Sequence, residues 1–389
     1  MWEIGTKFSM KIKPAASETG DPLLLTPGPL TTGKRVKEVM VHDWGSRDAT
    51  FLKINSEVLT RLPEVVNGGA DYVTVPMQGS GTFAVEAMLT TFVPADGHVL
   101  LLVNGAYGHR AKKILDIAKR KVTVHETPED TPPDLVMVEQ ALKDDASITH
   151  IFTVHCETTS GILNPIVALG ALAQKYRKGY LIDSMSAFGA LPLDASAIQP
   201  DAIAASSNKC IEGVPGLGFV ICRKAALEKT AGNATTLVLD LHDQWRNFEK
   251  TGQYRFTPPI HVIVSFHQAL MEFFEEGGQV GRGKRYAENC RVLIDGMRAL
   301  GFEPLLGDNL QAPIIVTFRM PADTNFRFQA FYDALKERGY VIYPGKLTVA
   351  DSFRIGCIGR LYPEHMRGAL SAIRDILAEM GVKSLKAAA

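Results

Sequence analysis

From about residue 72 to residue 222, short apolar runs alternate with stretches whose apolar residues recur at helical spacing. The runs in "DYVTVPM", "HVLLLVN", "KVTVHE", "THIFTVH", "GYLIDS", "AIAASS" and "GFVICR" predict strands. Between them, "GTFAVEAMLTTFV", "GHRAKKILDIAKR", "DLVMVEQALKD" and "VALGALAQKYR" predict helices. This is α/β patterning, with strands buried on both faces and helices as crossovers. Ligands of such sheets gather at the carboxyl ends of the strands, so the residues just after each strand are the ones that matter.

Beyond about residue 260 the pattern changes. Two long helical stretches, "HVIVSFHQALMEFFEEGG" and "RYAENCRVLIDGMRALG", come first. Short strands ("APIIVTFRM", "YVIYPG", "SFRIGCIG") and helices ("FQAFYDALKERG", "EHMRGALSAIRDILAEM") follow. A sheet covered by helices on one side predicts a compact α+β domain here.

Composition narrows the classes. Of 389 residues, 46% are hydrophobic, enough for one large domain plus a smaller one. Lys+Arg and Asp+Glu are both 42, so no overall field attracts nucleic acid or an acidic membrane. Aliphatic runs such as "VLLLV" are too short to span a bilayer. The mixed, polar residues 1–21 lack the apolar core of a secretory signal and read as an arm. The five cysteines (Cys156, Cys210, Cys222, Cys290, Cys357) are scattered without a CxxC pair. That suits a reducing, cytoplasmic setting and argues against a disulfide framework or a zinc site.

Five strand ends carry candidate chemistry. "QGSGTFAVEA" follows the first strand and opens a helix, and Gly79, Gly81 and Ala84 fit a dinucleotide fingerprint. A nucleotide site would want an acidic residue after the next strand, and Asn104 stands there instead. Backbone amides at a helix start, with the Ser80 and Thr82 hydroxyls, suit a phosphate better, although a plain turn and cap would leave the same trace. In "NGAYGHR", Tyr107 sits between glycines, where it either faces a planar ligand or simply packs. "HCETTSGILNP" crowds His155, Glu157, Thr158, Thr159 and Ser160 at one strand end, which reads as a hydrogen-bonding loop lining a pocket.

Asp183 closes the strand "GYLID", where a carboxylate is either a helix cap or a functional anion. Lys209 follows the next strand, in "SSNKCIEG". Adjacent strands would bring acid and lysine to one edge. That pairing has a specific chemistry: the lysine forms an imine with pyridoxal phosphate, and the carboxylate keeps the pyridine nitrogen protonated. The order phosphate turn, aromatic, Asp, Lys matches it.

With these motifs, and with "LLLTPGPLTT", "YRFTPPIH", "VIYPGK" and "FRIGCIG", the chain resembles the class V aminotransferases of the fold-type I pyridoxal-phosphate enzymes over about residues 22–375. It most resembles the branch that moves an amino group from an aminophosphonate to a 2-oxo acid. The resemblance implies a mainly parallel seven-stranded sheet in a large cofactor domain (22–275) and a small C-terminal domain (276–389). It implies that Lys209 holds pyridoxal 5'-phosphate and moves the proton, and that Asp183 pairs with the ring nitrogen. Tyr107 would stack on the ring and Thr159 would contact its phenolic side. Ser80, Gly81, Thr82 and Ser206 would hold the phosphate. Thr257 would reach the phosphate in the other subunit, making a homodimer with composite sites. Gly28, in the "TPGPL" turn, and Arg354 would bind substrate. A guanidinium fork on Arg354 could serve both acids of the exchange in turn, in bidentate fashion. The other activities weighed are alanine– or serine–glyoxylate transamination, and a cysteine desulfurase-type lyase for which Cys357 would be the nucleophile.

Overall fold

The computed structural model describes residues 14–387 apart from 346 and 348–350. Most of the N-terminal arm and Lys346 of "VIYPGK" therefore lie outside the described residues. A seven-stranded sheet forms the centre. Its strands are β1 (Tyr72–Gln78), β2 (His98–Val103), β3 (Lys121–Glu126), β4 (His150–Val154), β5 (Gly179–Asp183), β6 (Ala202–Ser206) and β7 (Leu217–Arg223). The spatial order is β1-β7-β6-β5-β4-β2-β3. All neighbours run parallel except β7, which is antiparallel to both β1 and β6.

Side-chain alternation explains why the strands read as continuous apolar runs. In β2, Leu100 and Leu102 enter one core cluster, while Val99, Leu101 and Val103 enter the cluster on the opposite face. In β5, Tyr180 and Ile182 face one way and Leu181 the other. With both faces covered, period-two patterning is masked by uniform hydrophobicity. β3 is the exception: as the sheet edge it stays partly exposed, not buried on both faces as the pattern predicts.

Two crossover helices matter for the site, α1 (Gly81–Phe92) after β1 and α2 (Ala106–Ile117) after β2. The C-terminal part holds a three-stranded antiparallel sheet of β8 (Ile315–Arg319), β9 (Tyr343–Pro344) and β10 (Ser352–Gly356), with β10 central. Two of its helices, α3 (Gly278–Leu300) and α4 (Pro363–Met380), share one apolar cluster with this sheet. Among the described residues no helix is long and apolar enough to cross a membrane.

A buried charge cluster ties the Lys209 loop to the C-terminal part. Glu212, three residues after Lys209, accepts hydrogen bonds from Arg285 Nη2 (2.8 Å) and the Tyr286 hydroxyl (2.5 Å). Arg282 donates to the Cys210 carbonyl and, at 2.7 Å, to Glu276. Arg285 also donates to Glu276 and to the carbonyls of Gly359 and Leu361, just beyond β10. Arg282, Arg285 and Glu212 are all buried. Burial opposes the charge on Glu276, yet hydrogen bonds and attraction from Arg285 and Arg282 hold its carboxyl at about 2.

Replacing one member of such a cluster strands the others. Glu212→Ala is expected to destabilise the fold by about 3–5 kcal/mol, measured by urea unfolding, because it leaves two arginines short of a buried anion. The Glu276 contribution is complete above the carboxylate's ordinary value and is lost as pH falls towards 2. Glu276→Gln should therefore flatten the acid limb of stability against pH, and an unchanged limb would contradict this placement.

Candidate active site

The carboxyl edge of the sheet opens into a cavity of about 420 Å³. It is lined by the turn after β1 (residues 79–82), by Tyr107 and Arg110 of α2, and by Cys156 and Thr158. Asp183, Met185 and Ser186 after β5, with Ser206, Asn208 and Lys209 after β6, complete most of the wall. Of the expected residues, Ser80, Gly81, Thr82, Tyr107, Asp183, Ser206 and Lys209 thus meet in one place.

Asp183 and Lys209 come together because β5 and β6 are hydrogen-bonded neighbours, with Asp183 opposite Ala204. Burial raises the Asp183 carboxyl to about 6, against the pull of the Met185 amide, which donates to Oδ1 at 2.9 Å. A carboxylate so placed gains most from a cation brought by a ligand. Lys209 Nζ donates to the Pro27 carbonyl at 2.6 Å, in the "TPGPL" turn. Gly28 has φ of +118°, and a Cβ there would lie 2.8 Å from both Cδ and Nζ of Lys209. The turn therefore needs glycine for its backbone and for the lysine's space.

Ser80 caps α1 by position but makes no side-chain capping bond, so its hydroxyl is not spent on the helix. The Ser206 hydroxyl is buried and has no hydrogen-bond partner among the described residues. Unspent donors around a helix start suit a bound phosphate.

The crowded "HCETTSG" stretch is a hairpin, Cys156–Glu157 paired with Ile162–Leu163, turned by Gly161 at φ +100°. Its carboxylate works inward. Glu157 is fully buried, and burial raises its carboxyl. It accepts from the Thr159 amide (3.1 Å) and hydroxyl (2.7 Å), and from the Tyr107 (3.0 Å) and Gly108 (3.4 Å) amides. A carboxylate at the first turn of α2 fixes where Tyr107 points.

Thr159 departs from expectation. Its hydroxyl donates to Glu157 and accepts from the Ala106 amide at 3.0 Å, so it is occupied away from the cavity. Thr158 lines the cavity instead. His155 is also inward: it contacts the Ser184 hydroxyl at 3.1 Å, and burial lowers it to about 3, so it is neutral. Thr257 lies on an exposed loop outside the cavity, its carbonyl bonded to Gln78.

Arg354, on β10, is buried; its Nε donates to the Pro344 carbonyl (3.1 Å) and its Nη1 to the Thr158 carbonyl (2.7 Å). Nη2 has no partner. The fork expected for a bidentate grip is therefore partly spent, and Arg354 reaches the cavity wall through the Thr158 carbonyl rather than lining the cavity itself. Burial lowers its guanidinium from the ordinary value. All five cysteines are buried. Contact with Cys290 and burial push the Cys357 thiol well up, the reverse of what a desulfurase nucleophile needs.

The family model for class V aminotransferases matches residues 40–354. The chain belongs to the class V aminotransferases. Curated relatives named 2-aminoethylphosphonate–pyruvate transaminase are similar over nearly their whole length. The one from Burkholderia thailandensis is 52% identical over 365 residues (93% of this chain, 98% of the relative). The one from Pseudomonas putida is 49% identical over 361 residues, with the same coverage. Among solved structures, pyridoxamine–pyruvate aminotransferase from Mesorhizobium loti superposes with a TM-score of 0.85 at 24% identity, covering 94% of this chain and 95% of that one. Alanine–glyoxylate aminotransferase from Nostoc gives 0.84 at 22% identity, covering 96% and 100%. These likenesses establish the fold of a class V aminotransferase.

The residues present fit pyridoxal phosphate: a lysine beside a buried carboxylate, and unspent hydroxyls at a helix start. Gly28→Ala should push the Lys209 side chain away from the Pro27 carbonyl. Cofactor attachment, followed by absorbance, should then slow by about tenfold, with a stability loss of only about 1–2 kcal/mol. Unchanged attachment in a folded variant would remove Gly28 from the site.

Proposed function

We propose that this chain transfers the amino group of 2-aminoethylphosphonate to pyruvate, giving phosphonoacetaldehyde and L-alanine, with pyridoxal 5'-phosphate as cofactor. The observation that carries the reaction type is Asp183 and Lys209 at the ends of neighbouring strands on one cavity. The substrate pair follows the names of the relatives, which match about half of the residues.

When bound, the cofactor supplies an electron sink that lets a carbanion form beside the amino nitrogen. Lys209 would hold it through its Nζ, which the substrate amine would set free. Its Nζ then removes the proton from the amine-bearing carbon and later returns one, as base and then acid. Asp183 keeps the ring nitrogen protonated, a role that suits a buried carboxylate in search of a cation. Tyr107, held by Glu157 through its amide, supplies the stacking face. Ser80, Gly81, Thr82 and Ser206 take the phosphate. Gly28 and Arg354 meet the substrate's anion, through Arg354 Nη2.

We place residues 22–275 as the cofactor domain and 276–389 as the small domain. The working unit is a homodimer in which the exposed Thr257 serves the neighbouring site. The free, buried cysteines support a cytoplasmic setting.

The loaded protein, given 2-aminoethylphosphonate, alanine or serine separately, should convert its cofactor to the amine form with the first. Pyruvate should then restore it, with one alanine released per turnover. Conversion by serine alone would end the phosphonate assignment. Lys209→Ala is expected to lose about 10³-fold in turnover, and wild-type turnover in that variant would end the whole reading.

A further inference from the structure

The charge at the phosphate end of the cavity does not balance on the motif residues alone. Among the lining residues the cations are Lys209 and Arg110, and the one carboxylate is Asp183. On the reading above, Lys209 is taken up by covalent attachment and Asp183 answers the ring nitrogen. What remains for a phosphate carrying about −1.5 to −2 charges is the start of α1, worth roughly half a positive charge.

Arg110 is placed to supply the rest. It lies three residues after Tyr107 on the same face of α2, and its guanidinium carbon is 4.8 Å from the Tyr107 ring centroid. Its Nη1 donates to the Thr82 hydroxyl oxygen at 3.1 Å. Since that oxygen accepts from Arg110, the Thr82 proton is directed elsewhere and can be donated to an anion at the helix start. The Ser80 hydroxyl, spent on no cap, and the unpartnered buried hydroxyl of Ser206 line the same space. The Arg110 side chain is exposed, so it can turn from Thr82 onto a phosphate oxygen at the cost of little more than its contact with the Tyr107 ring. A planar guanidinium matches phosphate oxygens in a way an ammonium does not.

We infer that Arg110 binds the cofactor phosphate directly and completes the anion cradle of Ser80, Gly81, Thr82 and Ser206. The inference rests on the pyridoxal-phosphate reading of this cavity.

Cofactor-free wild type, Arg110→Gln and Arg110→Lys are titrated with pyridoxal phosphate, with pyridoxal and with inorganic phosphate, binding being read by calorimetry. Arg110→Gln should weaken pyridoxal phosphate and inorganic phosphate by about tenfold and leave pyridoxal unchanged, while Arg110→Lys recovers part of the loss. Unchanged phosphate affinity in Arg110→Gln overturns the inference. So does an equal loss for pyridoxal, which would assign Arg110 to the ring through Tyr107. A wild-type protein that takes up no pyridoxal phosphate sinks the cofactor reading and this inference together. A wild type that loads normally beside an unaffected Arg110→Gln sinks the inference alone.

Discussion

The site is organised around a carboxylate that burial discourages from being charged. Asp183 ends a strand whose neighbours on both sides are strands, so water cannot reach it freely, and its carboxyl rises to about 6. The compensation within the chain is small: one backbone amide, and the fields of Arg110 and Lys209. A cationic ring nitrogen would satisfy this group more fully than anything the chain itself provides. The mixed topology matters here. β7, running antiparallel, begins at the edge where its neighbours end, so Pro215 and Gly216 close one side of the cavity while Lys209 enters from β6.

Position then depends on how the lysine loop is held. Lys209 itself must remain movable, since it has to leave and return during an amino transfer. The rigidity lies one step away, in Glu212 and the arginines of α3. One of them, Arg285, also holds the turn after β10, whose strand carries Arg354. One cluster thus ties the Lys209 loop to the turn after the strand of Arg354, the two residues proposed to act at the two ends of the substrate. Such a network is costly to desolvate and is a poor source of net stability; what it supplies is a fixed geometry between two segments far apart in sequence.

Most of the fold could be read from the chain, because each strand of the main sheet is a short apolar run closed by a glycine or polar cluster. What escaped has physical causes. The direction of β7 leaves no mark in composition, since parallel and antiparallel buried strands look alike. Thr158 and Thr159 are adjacent, and only the hairpin turn decides which faces the cavity. Glu212 looks like an ordinary charged loop residue until α3 brings Arg282 and Arg285 to it. Arg110 had a signal: three residues after an aromatic suspected of facing a ligand, it had to share that aromatic's helical face.

If Arg354 grips the substrate anion as proposed, its geometry accounts for a site that accepts two differently shaped acids. Its Nε and Nη1 are anchored to main-chain carbonyls, which fixes the plane of the guanidinium. The ligand is left with Nη2, and with whatever Nη1 can share. A full side-on fork could take two oxygens of either a carboxylate or a phosphonate. An end-on contact, with the plane already fixed, discriminates less by shape and more by charge and distance. That arrangement suits a reaction in which a phosphonate leaves the site before a carboxylate enters it. On the proposed reading the choice between donors falls to chain length between Lys209 and Arg354, on two segments that Arg285 joins through Glu212 and the turn after β10.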